Sequence, residues 1–444
     1  MIHTCETARS LTRFPHGRER IGIRVAVGLV FLIVLSLPVA GQEPSAPVEP
    51  GKTLTSEEAV AIAREIIPEV EEMRGLEFKR EVPIEIIDED KAIEYVQARL
   101  AEFQSPEELA HVQVVYELLG LIPEGLDLLE TFLELLREQA GGFYDPETGT
   151  FYVLDSIPRA VAPVVIAHEL THALDDQYFG LDKRLKKVNG DDDRMLAFSA
   201  VHEGSATCVM TLHLSRAMMA GEIDPAGLQE FFESEQEKAA KLEQLPVVFR
   251  RQLIAPYTLG AEFLVRGNML RLMSGGFPVE DVNRVYDDPP SSSEQILHPQ
   301  KYWGDGERDE PRPVDLDDTG KALGRDWTRV MQGTLGELTL GIIVGAPTPA
   351  ADFQSTQQAA DWTNDAASGW GGDAWELWRR EGKTVLLVGT VWDSPTDAEE
   401  FAAALTPGGG LSWKLVGDTV ALVAGESGKK TDRLLSRMSA HLTD

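Results

Sequence analysis

The chain has 444 residues, 43% hydrophobic and 26% charged, with a formal net charge of −32. That length suits two or three domains with sizeable cores, and that hydrophobic content excludes a mainly disordered chain. The negative excess excludes nucleic acid and anionic lipid headgroups as partners, because both would repel the surface. Two cysteines, Cys5 and Cys208, exclude a disulfide framework once the N-terminal segment is removed, so the fold must rest on its core.

The N-terminal stretch "RFPHGRERIGIRVAVGLVFLIVLSLPVAGQEP" sets arginines before an apolar run from Val25 to Ala40 and then small residues. It reads as a signal peptide over residues 1–41, implying an exported, extracytoplasmic protein, secreted or periplasmic. The alternative is an uncleaved membrane tether at residues 21–40, short for a full span. Residues 42–52 read as a linker. "TSEEAVAIAREIIPEVEEMRGL" starts with a capping-box pattern and predicts a helix, and "VPIEIID" predicts a strand. Two or three leucine-rich helices are expected between 89 and 139. "GGFYDPETGTFYVLD" predicts a β-hairpin turning at Asp145–Gly149.

A helix is expected at 159–178, a second at 193–220, and further helices at 225–245 and 258–274. The Pro-, Asp- and Ser-rich stretch 281–320 reads as irregular. Beyond it, "TVLLVGTVWD" and "GDTVALVAG" read as strands with the helix "DAEEFAAALT" between them. The Trp- and Gly-rich "ASGWGGDAWELW" reads as a turn with aromatic packing. The expected organisation is a main domain at 53–329 and a small α+β domain at 330–444. The expected fold class is α+β: a mostly helical core with a small sheet, followed by the C-terminal domain.

The chemistry concentrates in "VVIAHELTHALDDQ". Residues four apart share a helix face, so His168 and His172 point the same way, with imidazoles spaced to chelate one ion. Glu169 lies about 100° round the helix, within reach of a water on that ion. This is the mechanical content of an HExxH motif: two zinc ligands and a general base. Ile166, Leu170, Ala173 and Leu174 form the opposite, apolar face.

A catalytic zinc needs a third protein ligand and an open position. "ALDDQYFG" after His172 lacks the nearby histidine of the metzincin pattern. The next helix, "FSAVHEGSATCVM", offers Glu203, with His202 as the rival about 100° away; Glu203 is favoured. Gly204 in mid-helix costs about 1 kcal/mol relative to alanine, and a close approach to the histidine helix would account for it. Asp175 or Asp176 could accept an N–H from a ligand histidine. "DDD" at 191–193 reads as a helix cap.

"AHELTHALDDQ" followed by "EGSAT" resembles the gluzincin branch of the zincin metallopeptidases. It is similar to secreted bacterial neutral zinc metallopeptidases and to collagenase-like members, over roughly residues 60–305. The resemblance implies zinc (Zn2+) held by His168, His172 and Glu203, with Glu169 as general base in hydrolysis of a peptide or protein substrate. It implies a zincin-like core in which the strand Phe151–Leu154 is the sheet edge that pairs with substrate. It also calls for an oxyanion-stabilising donor, with His298 first, Tyr302 next and Tyr257 third. The alternative is a non-catalytic binding or assembly protein with a structural zinc, for which His202 would supply a fourth ligand.

Overall fold

The computed structural model describes residues 54–139, 141–222, 240–268, 270–272, 276–316, 319–348, 359–406 and 410–443. The expected signal segment and linker lie outside these residues, as does most of the helix expected at 225–245. Among the described residues no helix is long and apolar enough to cross a membrane.

The fold is α+β. Helix α1 (Ser56–Arg74) starts at a true capping box: the Thr55 hydroxyl accepts the Glu58 N–H, and the Glu58 carboxylate accepts the Thr55 N–H. Strand β1 (Ile84–Ile87) leads into α2 (Glu89–Phe103), α3 (Pro106–Leu118) and α4 (Leu128–Gln139). The hairpin then forms as β2 (Gly142–Asp145) and β3 (Thr150–Leu154), paired antiparallel from Gly142–Val153 to Asp145–Thr150. Its turn is closed by Asp145, whose carboxylate accepts from the Glu147 N–H at 2.9 Å and the Thr148 hydroxyl at 2.7 Å. Gly149 follows at φ +71°, a conformation that disfavours any side chain.

β1 joins β3 in parallel, so the sheet order is β1-β3-β2. This corrects the expectation that Phe151–Leu154 forms the edge. β3 is central, and β1 and β2 are the edges. The parallel partner comes from some sixty residues upstream, a pairing that local alternation does not encode.

Helices α5 (Ala162–Phe179), α6 (Leu181–Val188), α7 (Asp192–Ala220) and α8 (Val247–Leu264) follow. α5 packs against α1, α7 and β2, and Ile166, Leu170, Ala173 and Leu174 are fully buried, as the apolar face requires. Burying each leucine stabilises the fold by roughly 1.5–3 kcal/mol. The helix expected at 258–274 overlaps α8, which starts earlier, at Val247, and ends at Leu264; residues 270–272 are helical again.

Gly204 of α7 does make a close approach, but to α8 rather than to the histidine helix. A Cβ on Gly204 would stand 2.3 Å from the Gly260 carbonyl carbon, and one on Gly260 would stand 1.9 Å from the Ala200 oxygen. The two glycines let the α7 and α8 backbones touch. The supposedly irregular stretch holds three short helices: α9 (Val279–Asp287), α10 (Ser293–Leu297) and α11 (Gln300–Trp303).

The C-terminal part comprises β4 (Thr328–Gly333), α12 (Gly336–Ile343), β5 (Trp370–Arg380), β6 (Lys383–Trp392), α13 (Pro395–Ala404), β7 (Ser412–Val416), β8 (Thr419–Ala424) and α14 (Lys429–Leu442). Its antiparallel sheet runs β4-β5-β6-β8-β7. Alternation puts Leu386 and Val388 on the face that packs with Phe401 of α13, and Val385 and Leu387 on the face that packs with Leu434 and Met438 of α14. "GWGGDAWELW" is the start of the long strand β5, with Trp370 and Trp375 fully buried.

β4 crosses the expected 329/330 boundary, and Leu316, Leu323 and Trp327 already belong to this second core. Val112, Val115 and Tyr116 of α3 share the core of the other sheet face, so the two parts are packed together. Polar contacts join them as well. The Leu338 N–H reaches the Ser293 hydroxyl at 3.2 Å, and the buried Arg251 guanidinium donates to the carbonyls of Pro347 and Trp362.

Candidate metal centre

α5 and α7 lie side by side and bring three donor atoms together. His168 Nε2 and His172 Nε2 are 3.0 Å apart, and Glu203 Oε2 is 3.3 Å from the first and 3.4 Å from the second. Ligand atoms around a tetrahedral cation at bond lengths of about 2.0–2.1 Å are spaced about 3.3–3.4 Å apart. The triangle therefore has the size of one face of such a site. His168, Glu169 and His172 are 0% exposed and Glu203 is 2% exposed.

Burial also sets their protonation. It pushes His168 down to about 3, helped by the nearby His202, and holds His172 well below the usual histidine range, helped by His168 and His202. Both rings are neutral, the state that ligates metals. Glu203 is pushed up by burial and by the neighbouring Glu169, while a hydrogen bond from Tyr257 opposes the shift. A bound cation would restore its carboxylate form.

Glu169 lies beside this triangle. Burial pushes its pKa well up, with only the Tyr144 backbone opposing, and neither carboxylate oxygen has a partner in full hydrogen-bond geometry. A buried carboxyl so weakly hydrogen-bonded is costly and calls for a cation or a water nearby. The donor set and this under-satisfied carboxyl together fit a single metal ion.

The remaining sequence candidates fall elsewhere. His202 sits outside the three-donor triangle, its ring 5.5 Å from His172 and 5.3 Å from Phe198. His298 Nε2 lies 3.0 Å from the buried Glu337 of α12. The Tyr302 hydroxyl donates to the Asp288 carbonyl at 2.7 Å, and its ring packs edge-on against Phe263 and Trp303. The motif carrying both residues belongs to the joint with the C-terminal part, because α10 packs on α12. The third-ranked Tyr257 is the one at the centre. Its ring stacks on His168 at 5.9 Å and its hydroxyl bonds Glu203.

Asp175 and Asp176 bond groups other than the ligand histidines. Asp176 accepts the Tyr144 hydroxyl at 3.0 Å and the Leu181 N–H at 2.9 Å. Asp175 receives hydroxyls from Ser205 and Tyr286 and faces Arg74, a set that the sequence reading missed. Arg74 and Tyr286 are separated from it by about a hundred residues each, and no local pattern announces them. Asp191 does cap α7, accepting the Arg194 N–H at 3.1 Å.

Two other features lie apart from this centre. Glu294, Asp309 and Asp393 converge, but the Lys301 ammonium already sits among them at 2.5–2.8 Å. A cleft of about 680 Å³ opens between the start of α7 and the C-terminal sheet, lined by Asp193, Trp370 and Trp375 among others and by none of the centre's residues.

A family model described as a domain of unknown function (DUF8575) matches residues 325–407, a stretch from just before β4 to just after α13. No curated protein and no solved structure matches the chain.

Proposed function

We propose that the protein is an exported zinc metallopeptidase of the gluzincin type, acting on peptide or protein substrates. The observation that carries this reading is the triangle of His168, His172 and Glu203 donor atoms at 3.0–3.4 Å, with the buried Glu169 carboxyl beside it. When bound, zinc supplies a Lewis acid that polarises a carbonyl and makes water acidic enough to attack at neutral pH. His168, His172 and Glu203 hold it. With a cation bound beside it Glu169 would be held as a carboxylate, able to take a proton from the attacking water and return it to the departing amine. Tyr257 orients Glu203 in the resting site, and by turning its single O–H from that carboxylate to the developing oxyanion it takes the place of His298 and Tyr302 as the assigned donor. β2, an edge strand packed on α5, is assigned to pairing with an extended peptide.

One observation favours a second reading, a structural metal in a binding or assembly protein: all four central side chains are 0–2% exposed. Zinc content and cleavage of casein or mixed peptides, measured on the parent and on Glu169→Gln, separate the two. A peptidase gives zinc in both proteins and cleavage in the parent alone. Zinc in both with cleavage in neither supports the structural reading, and a folded parent without zinc removes both.

A further inference from the structure

Three residues beyond His172 on α5, Asp175 is fully buried, and Ser205, two residues beyond Glu203 on α7, is fully buried with it. The Ser205 hydroxyl donates to Asp175 Oδ2 at 2.7 Å. The Tyr286 hydroxyl, from α9, donates to the same oxygen at 2.9 Å. The other oxygen, Oδ1, lies 2.7 Å from Arg74 Nε of α1, and Arg74 in turn donates to Asn283 at 2.9 Å. The Arg74 guanidinium is walled by the rings of Phe179, Phe277 and Tyr286 at 5.1–5.9 Å. Four helices thus converge on one carboxylate.

The placement along the two central helices matters most. Three residues advance α5 by about 4.5 Å and two advance α7 by about 3 Å, so the Asp175–Ser205 bond lies within about one turn of the ligand atoms on both helices. A bond there sets how far α7 can slide along α5, and with it the distance from Glu203 to the histidine pair. Ligand constellations tolerate errors of only about 0.5 Å. The Arg74 ion pair keeps Asp175 in one orientation to receive Ser205.

We propose that Asp175 is a positioning residue for the metal centre, acting through Ser205 to set the spacing between the His168–His172 pair and Glu203. The proposal rests on the reading of those three residues as metal ligands. Tyr286 provides the internal control: it gives Asp175 Oδ2 a hydroxyl from a helix that carries none of the three.

The test compares the full-length parent, Ser205→Ala and Tyr286→Phe. Zinc affinity is measured by competition with a chromophoric chelator, and coordination geometry by the visible spectrum of the cobalt-substituted proteins. Ser205→Ala is expected to bind zinc about 10- to 100-fold more weakly, the usual effect of losing an outer support, with altered cobalt bands. Tyr286→Phe should stay within about threefold of the parent and keep its spectrum, although both variants lose one hydrogen bond to the same oxygen. Equal losses in the two variants would reduce the network to general packing, and an unchanged Ser205→Ala would overturn the proposal outright. A folded parent that binds neither metal overturns the ligand reading itself, and that outcome is visible before any variant is compared. Should Ser205→Ala not fold, Asp175→Asn takes its place, with the same ordering expected against Tyr286→Phe.

Discussion

Replacing Gly260 by alanine adds one methyl group where the α7 and α8 backbones touch. The new Cβ would stand 1.9 Å from the Ala200 oxygen, 2.7 Å from the Ala200 carbonyl carbon and 3.1 Å from Gly204 Cα. An ordinary carbon–oxygen contact is about 3.3–3.6 Å, so α7 and α8 must part by more than about 1 Å. The neighbours are backbone atoms, and no side-chain rotation relieves the clash. Two terms oppose each other. Alanine gains about 1 kcal/mol of helix propensity over glycine, whereas overpacking a close-packed interior costs about 1–3 kcal/mol and more where only backbone can yield. The clash wins here, and a net loss of about 2 kcal/mol or more is expected. Because Gly204 adjoins Glu203, the parting also displaces that carboxylate relative to the histidines, and metal affinity should fall with stability. Denaturant midpoints for parent and variant, with zinc titrations alongside, measure both effects. A variant as stable as the parent, or about 1 kcal/mol more stable as propensity alone would give, refutes the reasoning.

Four further outcomes are expected. His298→Ala should cost about 1–2 kcal/mol by removing one of the partners of buried Glu337, the other being the Thr363 hydroxyl, yet leave zinc affinity unchanged. Tyr257→Phe should lower kcat by about 10- to 1000-fold, so steady-state kinetics on the pair test the reassigned donor directly. Burial pushes the Glu262 carboxyl up to about 7, opposed by the Ala359 backbone and supported by Asp361. The folded state therefore holds its proton above the pKa of the unfolded chain, and stability declines as pH rises from about 4.5 towards 7. Glu262→Gln should remove that decline, with a higher melting temperature than the parent at pH 8 and little difference at pH 4; equal gains at both would contradict it. Chelation should lower the melting temperature of the parent, since a ligand at about 100 times its dissociation constant contributes about 2.7 kcal/mol, and His172→Ala should be insensitive to chelator.

Much of the local structure was legible. The Thr55–Glu58 capping box, the hairpin around Asp145–Gly149, the α5 and α7 helices, β6, β8 and α13 all follow patterns within ten or so residues. Signals that depend on distant neighbours were not. "IEII" does not say that it lies parallel to β3. "EQILHPQKY" carries a histidine and a tyrosine that suit catalysis, and both are engaged by Glu337 and Asp288 instead. Gly204 announced a close approach without naming Gly260 as its partner.

By itself, then, the sequence determined the α+β class and the short-range spacing of His168, Glu169 and His172, because helix periodicity depends only on neighbouring residues. Only the tertiary structure decided that Glu203 rather than His202 completes the triangle, that Tyr257 stacks on it, and that Arg74, Ser205 and Tyr286 converge on Asp175. Those relations depend on how helices far apart in the chain cross one another. Crossings are set by the shapes of whole faces, such as the Gly204–Gly260 contact, and no single stretch of sequence contains both sides of a crossing.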